Sequence, residues 1–179
     1  MNKNEVRAAM KRLNRALTAE ERRAASRRIF ERAAAAPEFA AARCVGLFCS
    51  LPDEPDTAEA LAAWSRLKRV VVPRVEGEEM RFYDYDPATL VGGAFGIAEP
   101  GPEARLCRPD EIDLLLVPGV AFARSGARLG RGKGFYDRYL SQPGVRAVRI
   151  GVCYARQLVD ELPVEPHDVA MQRVVSDGE

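Results

Sequence analysis

The chain has 179 residues, the size of one ordinary domain, and is long enough to bury a core without a disulfide or metal staple. Apolar residues make up 47% and charged residues 30%, and no apolar run approaches the ~20 residues that span a bilayer, which excludes a disordered chain and a membrane span. The net charge of +1 gives no overall pull toward a polyanion, although ten Lys or Arg stand against four Glu up to Arg32.

Val6, Met10, Leu13 and Leu17 recur at helical spacing and predict a first helix with one apolar stripe. Thr18 followed by Glu21 reads as a capping box that opens a second helix, which runs through the alanines and stops before Pro37. C-V-G-L-F-C (44–49) suits a buried strand, and the loop S-L-P-D-E-P follows it. Asp56 and Glu59 start a further helix carrying Leu61, Trp64 and Leu67, and V-V-V-P (70–73) is the next strand. M-R-F-Y (80–83) is a candidate strand and G-G-A-F-G-I-A-E-P (92–100) a loop. D-L-L-L-V-P (113–118) is the clearest strand; a glycine-rich loop, a helix over 136–140, a strand over 148–152 and an edge strand at R-V-V-S complete the chain.

Helices alternating with continuously apolar strands imply an α/β fold: three layers, a mostly parallel sheet with helices on both faces, and one domain over 1–179. In such folds ligands bind beyond the carboxyl ends of the strands, where the glycine-rich loop after a central strand would lie. Cys44, Cys49, Cys107 and Cys153 show no C-x-x-C pairing, which argues against a zinc knuckle or a redox motif and for structural thiols. The N-terminus has no leader-like apolar region, so the cytosol is the expected compartment.

From Arg128 the chain reads R-L-G-R-G-K-G-F-Y-D, with Gly126, Gly130, Gly132 and Gly134 bracketing Arg128, Arg131 and Lys133. Glycines admit positive φ and let a phosphate approach main-chain N–H groups, while the cations supply charge that peptide dipoles lack. The combination suits a polyphosphate, although a flexible surface loop would also use such glycines. It is not a Walker A loop, because Gly134 follows Lys133 where Ser or Thr is required, and G-x-G-x-G is not the dinucleotide fingerprint. Asp137 offers a hard oxygen ligand beside bound phosphates, with Asp168 in P-H-D-V as a second, although either could be a cap or a surface charge. His167 has no nucleophile elbow near it and reads as a loop residue.

The runs P-G-V-A-F and G-A-R-L-G-R-G-K-G-F-Y-D-R-Y-L resemble the signature of the 5-formyltetrahydrofolate cyclo-ligase family, also called methenyltetrahydrofolate synthetase. Lys3 and Arg7, S-L-P-D-E-P-D-T, V-V-V-P-R, F-G-I-A-E-P and P-H-D-V extend the resemblance over nearly the whole chain. It implies an ATP- and Mg²⁺-dependent closure of 5-formyltetrahydrofolate to 5,10-methenyltetrahydrofolate, giving ADP and phosphate through a phosphorylated formyl oxygen. By position it implies that Lys3, Arg7, Arg128, Leu129, Gly130, Arg131, Gly132, Lys133, Gly134, Phe135 and Tyr136 hold ATP. Arg131 and Lys133 would lie nearest the transferred phosphoryl group. Asp137 and Asp168 would hold magnesium, Glu54 the pterin, and Cys49, Phe135 and Tyr136 the folate pocket, bordered by Phe95 and Glu99. The implied partners are small molecules alone, with no nucleic acid and no membrane, and the expected state is a monomer.

Two positions depart from the family pattern: Phe135 stands where many members carry Tyr, and Gln172 where some carry an acid. The competing readings are an ATP-dependent acyl-activating enzyme with another substrate, and an RNA-associated module built on the basic N-terminal helices. The second requires those arginines to form one continuous free surface.

Overall fold

The computed structural model describes residues 1–93 and 96–178. Two helices open the chain: α1 (Lys3–Arg15), started by an Asn2–Glu5 capping box, and α2 (Ala19–Ala35), started by the expected Thr18–Glu21 box. The apolar stripe of α1 is shorter than its periodicity suggests, for Val6 and Met10 are buried but Leu13 is 45% exposed. The reason is that α1 packs on a small sheet, against Ala121 and Leu129, and its last turn overhangs that support. Pro37 ends α2 as expected, and it also begins a short α3 (Pro37–Ala41), using the one helical position where a missing N–H costs nothing.

The first strand, β1 (Cys44–Gly46), is followed by α4 (Ala58–Trp64), where Asp56 Oδ1 accepts the Ala58 N–H at 3.0 Å. Leu67 lies past that helix: turns closing onto the Ala63 and Trp64 carbonyls face it outward, 72% exposed. The hairpin β2 (Arg69–Glu76) and β3 (Glu79–Asp84) turns at Gly77, whose φ of 65° suits glycine. The stretch expected as a loop over 92–100 holds a two-residue ladder, β4 (Val91–Gly92) with β5 (Ala98–Glu99). After β6 (Leu106–Cys107) come β7 (Leu114–Val117), β8 (Ala121–Ala123) and β9 (Arg128–Leu129). The chain ends with α5 (Phe135–Leu140), β10 (Val148–Cys153), β11 (Leu158–Val159) and β12 (Arg173–Ser176).

The main sheet has the order β12-β10-β7-β1-β2-β3-β6. Its first five strands are parallel, and β3 and β6 run antiparallel at one edge. Period-two alternation splits the central strand between two cores: Leu114 and Leu116 pack with α2, α3 and α4, while Leu115 and Val117 pack with α5 and β8. Helices therefore cover both faces, and the small sheet β11-β8-β9 shares the cover of the second face with α5. The hairpin β8–β9 also separates the central strand from the glycine-rich loop, which consequently leaves β9 and not β7 directly.

Candidate active site

The loop Gly130–Gly134 joins β9 to α5, with φ of 110° at Gly132 and 74° at Gly134, the residue that caps α5. Helix α1 lies against this loop, for Arg7 Nε donates to the Gly130 carbonyl at 2.9 Å. A Cβ on Gly132 would meet the Arg7 guanidinium at 3.7 Å. Lys133 is exposed and makes no ion pair among the described residues, so its charge is uncommitted. Arg128 goes the other way. Its guanidinium is buried, donates Nε to the Pro118 carbonyl at 2.8 Å and lies over the Tyr136 ring at 5.1 Å. Burial depresses its pKa, and the charges of Asp137 and Glu54 work against that fall. Arg128 thus braces the loop from below, beneath the space expected for a triphosphate.

Two carboxylates adjoin this brace. Asp137 Oδ1 accepts the Val169 N–H at 3.1 Å and lies 4.0 Å from Arg128 Nη1, while its Oδ2 accepts no hydrogen bond among the described residues. Asp168 Oδ2 accepts from Lys3 Nζ and from the Glu165 N–H, each at 2.9 Å. Burial opposes the Asp168 charge, but the Lys3 ammonium and that N–H outweigh it and hold the carboxyl below the usual range. Lys3, expected on ATP, is therefore paired with an expected metal ligand and also with Glu165 at 3.1 Å. His167 is exposed between Glu165 and Asp168, in keeping with a loop residue. Among the described residues no group of three or more His, Cys, Asp or Glu could hold a metal alone.

The loop after β1 supplies the second half of the site. Glu54 is buried, accepts the Leu51 N–H at 2.8 Å and lies 3.5 Å from Arg131 Nη2. Burial raises its pKa, and the Leu51 N–H and Arg131 reduce that rise without cancelling it. Arg131 also forks onto Asp53, at 2.5 and 3.2 Å, so it clasps the loop after β1. Tyr136 is driven to a high pKa by burial and then by the charge of Glu54, with Cys49 among its further neighbours. The Cys49 thiol is pushed up to about 11 by burial and by Glu99. Glu99 Oε2 itself accepts the Val75 N–H at 2.8 Å. Phe135, next to Tyr136 in sequence, is half-buried, and Phe95 lies outside the described residues.

A cleft of about 180 Å³ opens between α1 and these loops, with Arg7, Lys11, Asn14, Asp53 and Arg131 on its wall. A larger cavity of about 390 Å³ lies over Phe30 and Trp64, between α2 and α4, and meets none of the candidate residues. Asp53, Arg22 and Tyr154 were missed in the sequence. Arg22 donates to the Leu51 and Glu54 carbonyls, and the Tyr154 hydroxyl donates to the Glu54 carbonyl at 3.0 Å. Only Asp53 had a signal, as the acid beside Glu54. Of the basic residues on which the RNA reading rests, Arg22, Arg27 and Arg32 are bonded to that loop, to Glu59 and to C-terminal carbonyls.

The family model described as "5-formyltetrahydrofolate cyclo-ligase family" matches residues 1–177. The 5-formyltetrahydrofolate cyclo-ligase of Mycolicibacterium smegmatis is 39% identical over 142 residues, covering 75% of this chain and 73% of the relative. The Escherichia coli K12 enzyme of the same name is 34% identical over 169 residues, covering 90% and 93%. The solution structure of Aquifex aeolicus 5,10-methenyltetrahydrofolate synthetase superposes with a TM-score of 0.90 at 36% identity, covering all of this chain and 91% of that one. The Mycoplasma pneumoniae 5,10-methenyltetrahydrofolate synthetase gives 0.82 at 26% identity, covering 99% and 100%. With the glycine-rich loop tied through Arg128 to Asp137 and through Arg131 to the buried Glu54, the chain belongs to the 5-formyltetrahydrofolate cyclo-ligase family.

Proposed function

We propose that this chain closes 5-formyltetrahydrofolate to 5,10-methenyltetrahydrofolate, with ATP as co-substrate. The observation that carries the reading is the Arg7–Gly130 hydrogen bond at 2.9 Å, which sets a cationic helix against the glycine-rich loop beside a buried carboxylate. A formamide oxygen is a poor leaving group. Its attack on the γ-phosphate of ATP releases ADP and turns that oxygen into a phosphate ester; the ten-position nitrogen then adds to the activated carbon and phosphate departs. The protein's work is to position both substrates and to neutralise charge on the transferring group. Lys133 supplies an uncommitted cation for that purpose, and Arg131 holds the two loops together. Glu54 accepts hydrogen bonds from the pterin amino and ring N–H groups, and Tyr136 and Phe135 present aromatic surface to it.

The donor set also fits magnesium, which needs one or two carboxylates beside phosphate oxygens and water. Asp137 has an oxygen free of hydrogen bonds among the described residues, and Asp168 is held ionised by Lys3. Asp137 and Asp168 would hold the ion, which when bound supplies charge neutralisation at the phosphates. The test is the absorbance of the methenyl product after purified protein is mixed with 5-formyltetrahydrofolate, ATP and Mg²⁺. A rise requiring all three, with ADP formed in step, supports the reading. Absence of product while ATP still binds would transfer the site to another acyl substrate.

A further inference from the structure

Buried polar groups almost always find hydrogen-bond partners, and two without one lie on β2 and α5. Arg69, the first residue of β2, donates Nε to Asp84 at 2.7 Å and Nη1 to Glu111 at 3.2 Å, yet its Nη2 is buried without a partner. The hydroxyl of Tyr139 on α5 is also buried without a partner. Both lie within electrostatic reach of the same two thiols. Tyr139 is raised in pKa first by burial, then by Cys107 and Cys44, and Arg69 acts on both thiols.

Those thiols are in contact. Cys44 Sγ lies 3.9 Å from Cys107 Sγ across 63 residues of chain, the only such sulfur pair among the described residues. They are unequal. Cys44 is lowered by the hydrogen bond with Cys107 and by Arg69, against its burial, whereas Cys107 is raised by the same bond and by burial. Cys107 sits on β6, a two-residue edge strand, and short edges open locally at far lower cost than central strands. Cys44 begins β1, whereas Cys49 and Glu54 follow its other end, so the pair is separate from the folate and nucleotide site.

We propose that Cys44 and Cys107 form an oxidisable dithiol site, in which a peroxide converts the contact into a disulfide. The Cys44 thiolate attacks one peroxide oxygen and breaks the O–O bond; the hydroxide released takes up the proton that Cys44 lost and leaves as water. The Cys107 sulfur then attacks the Cys44 sulfenic acid, forming S–S and expelling its hydroxyl, with the Cys107 proton, as a second water. The two thiols together give two electrons to one peroxide. Closure draws the sulfurs from 3.9 Å to the ~2.05 Å of a disulfide, a movement that an edge strand can supply.

The test uses the full chain, reduced, treated with hydrogen peroxide without denaturant, then unfolded in iodoacetamide and digested. The expected result is a Cys44–Cys107 cross-linked peptide, reversed by dithiothreitol, with Cys153 alkylated. Adding 5-formyltetrahydrofolate or ATP should leave its rate unchanged. Cys107→Ser should stop at a dimedone-reactive sulfenic acid on Cys44. Full alkylation of both cysteines, or a cross-link formed only in urea, overturns the proposal.

Discussion

Lys3 Nζ lies 2.9 Å from Asp168 Oδ2, tying the first turn of the first helix to a loop 165 residues later. Asp168 has a depressed pKa, since Lys3 and the Glu165 N–H outweigh its burial. A depressed carboxyl contributes stability that is complete above its unfolded pKa, about 3.9, and is lost as pH falls through the lower folded value. Lys3→Met should cost about 1 kcal/mol at pH 7 and flatten the acid-side loss. Urea midpoints from pH 6 down to pH 2 test this; parallel curves for the two proteins would remove the pair from the acid response.

Glu54 moves in the opposite sense. Its folded pKa is raised by burial, so its contribution to stability falls as pH rises from about 4.3 toward the folded value. The same titration should govern folate recognition, because only the carboxylate accepts from two pterin donors. We expect kcat/KM for the folate to climb with pH along an acid limb above the ordinary carboxylate range. Glu54→Gln should abolish that limb and lower kcat/KM by about a hundredfold. A limb that persists in the variant assigns it to another group.

Lys133→Ala should lower kcat by about 10²–10³, the usual cost of removing one preorganised donor from a developing charge. Lys133 is exposed and makes no ion pair among the described residues, so the circular dichroism spectrum and melting temperature should not move. Wild-type turnover in this variant would refute the role given to the ammonium.

Asp137→Asn should raise the Mg²⁺ concentration needed for half-maximal rate about tenfold or more, with a smaller effect on kcat at saturating metal. The Val169 N–H can still be accepted by the amide oxygen, so folding is preserved. Superimposable Mg²⁺ titrations would show that Asp137 is not a ligand.

Gly126→Ala tests the turn between β8 and β9. Its φ is 103°, and an added Cβ would sit 2.2 Å from the Met171 carbonyl oxygen. Strain of about 1–3 kcal/mol plus the displaced Gly126–Met171 backbone bond should lower the melting temperature by roughly 5–10 °C. A melt within a degree of wild type would show that the turn re-forms freely.

Much of this architecture could be read from local chemistry. Asp113 and Pro118 bound a run of four apolar residues that the fold buries on both sides, so β7 was legible, as was the Thr18–Glu21 capping box. The β8–β9 hairpin was not. Its strands have three and two residues, and their pairing is set by α1 and β11 from distant parts of the chain. The site divides in the same way. The glycine-and-cation pattern marked the loop, but sequence does not tell which way a guanidinium points. Arg128 turns inward to Pro118 and Arg131 crosses to Asp53, contacts made across 10 and 78 residues.

The loop bearing Glu54 is held by the fold itself. Arg22 grips the Leu51 and Glu54 carbonyls, Tyr154 donates to the latter, and the Ser50 and Thr57 side chains each accept the other's N–H. The entropy of ordering this segment is therefore lost when the chain folds and not when the pterin arrives. Folate capture on this side of the site should resemble entry into a rigid mould, with a calorimetric heat-capacity change close to that of the buried ring surface alone.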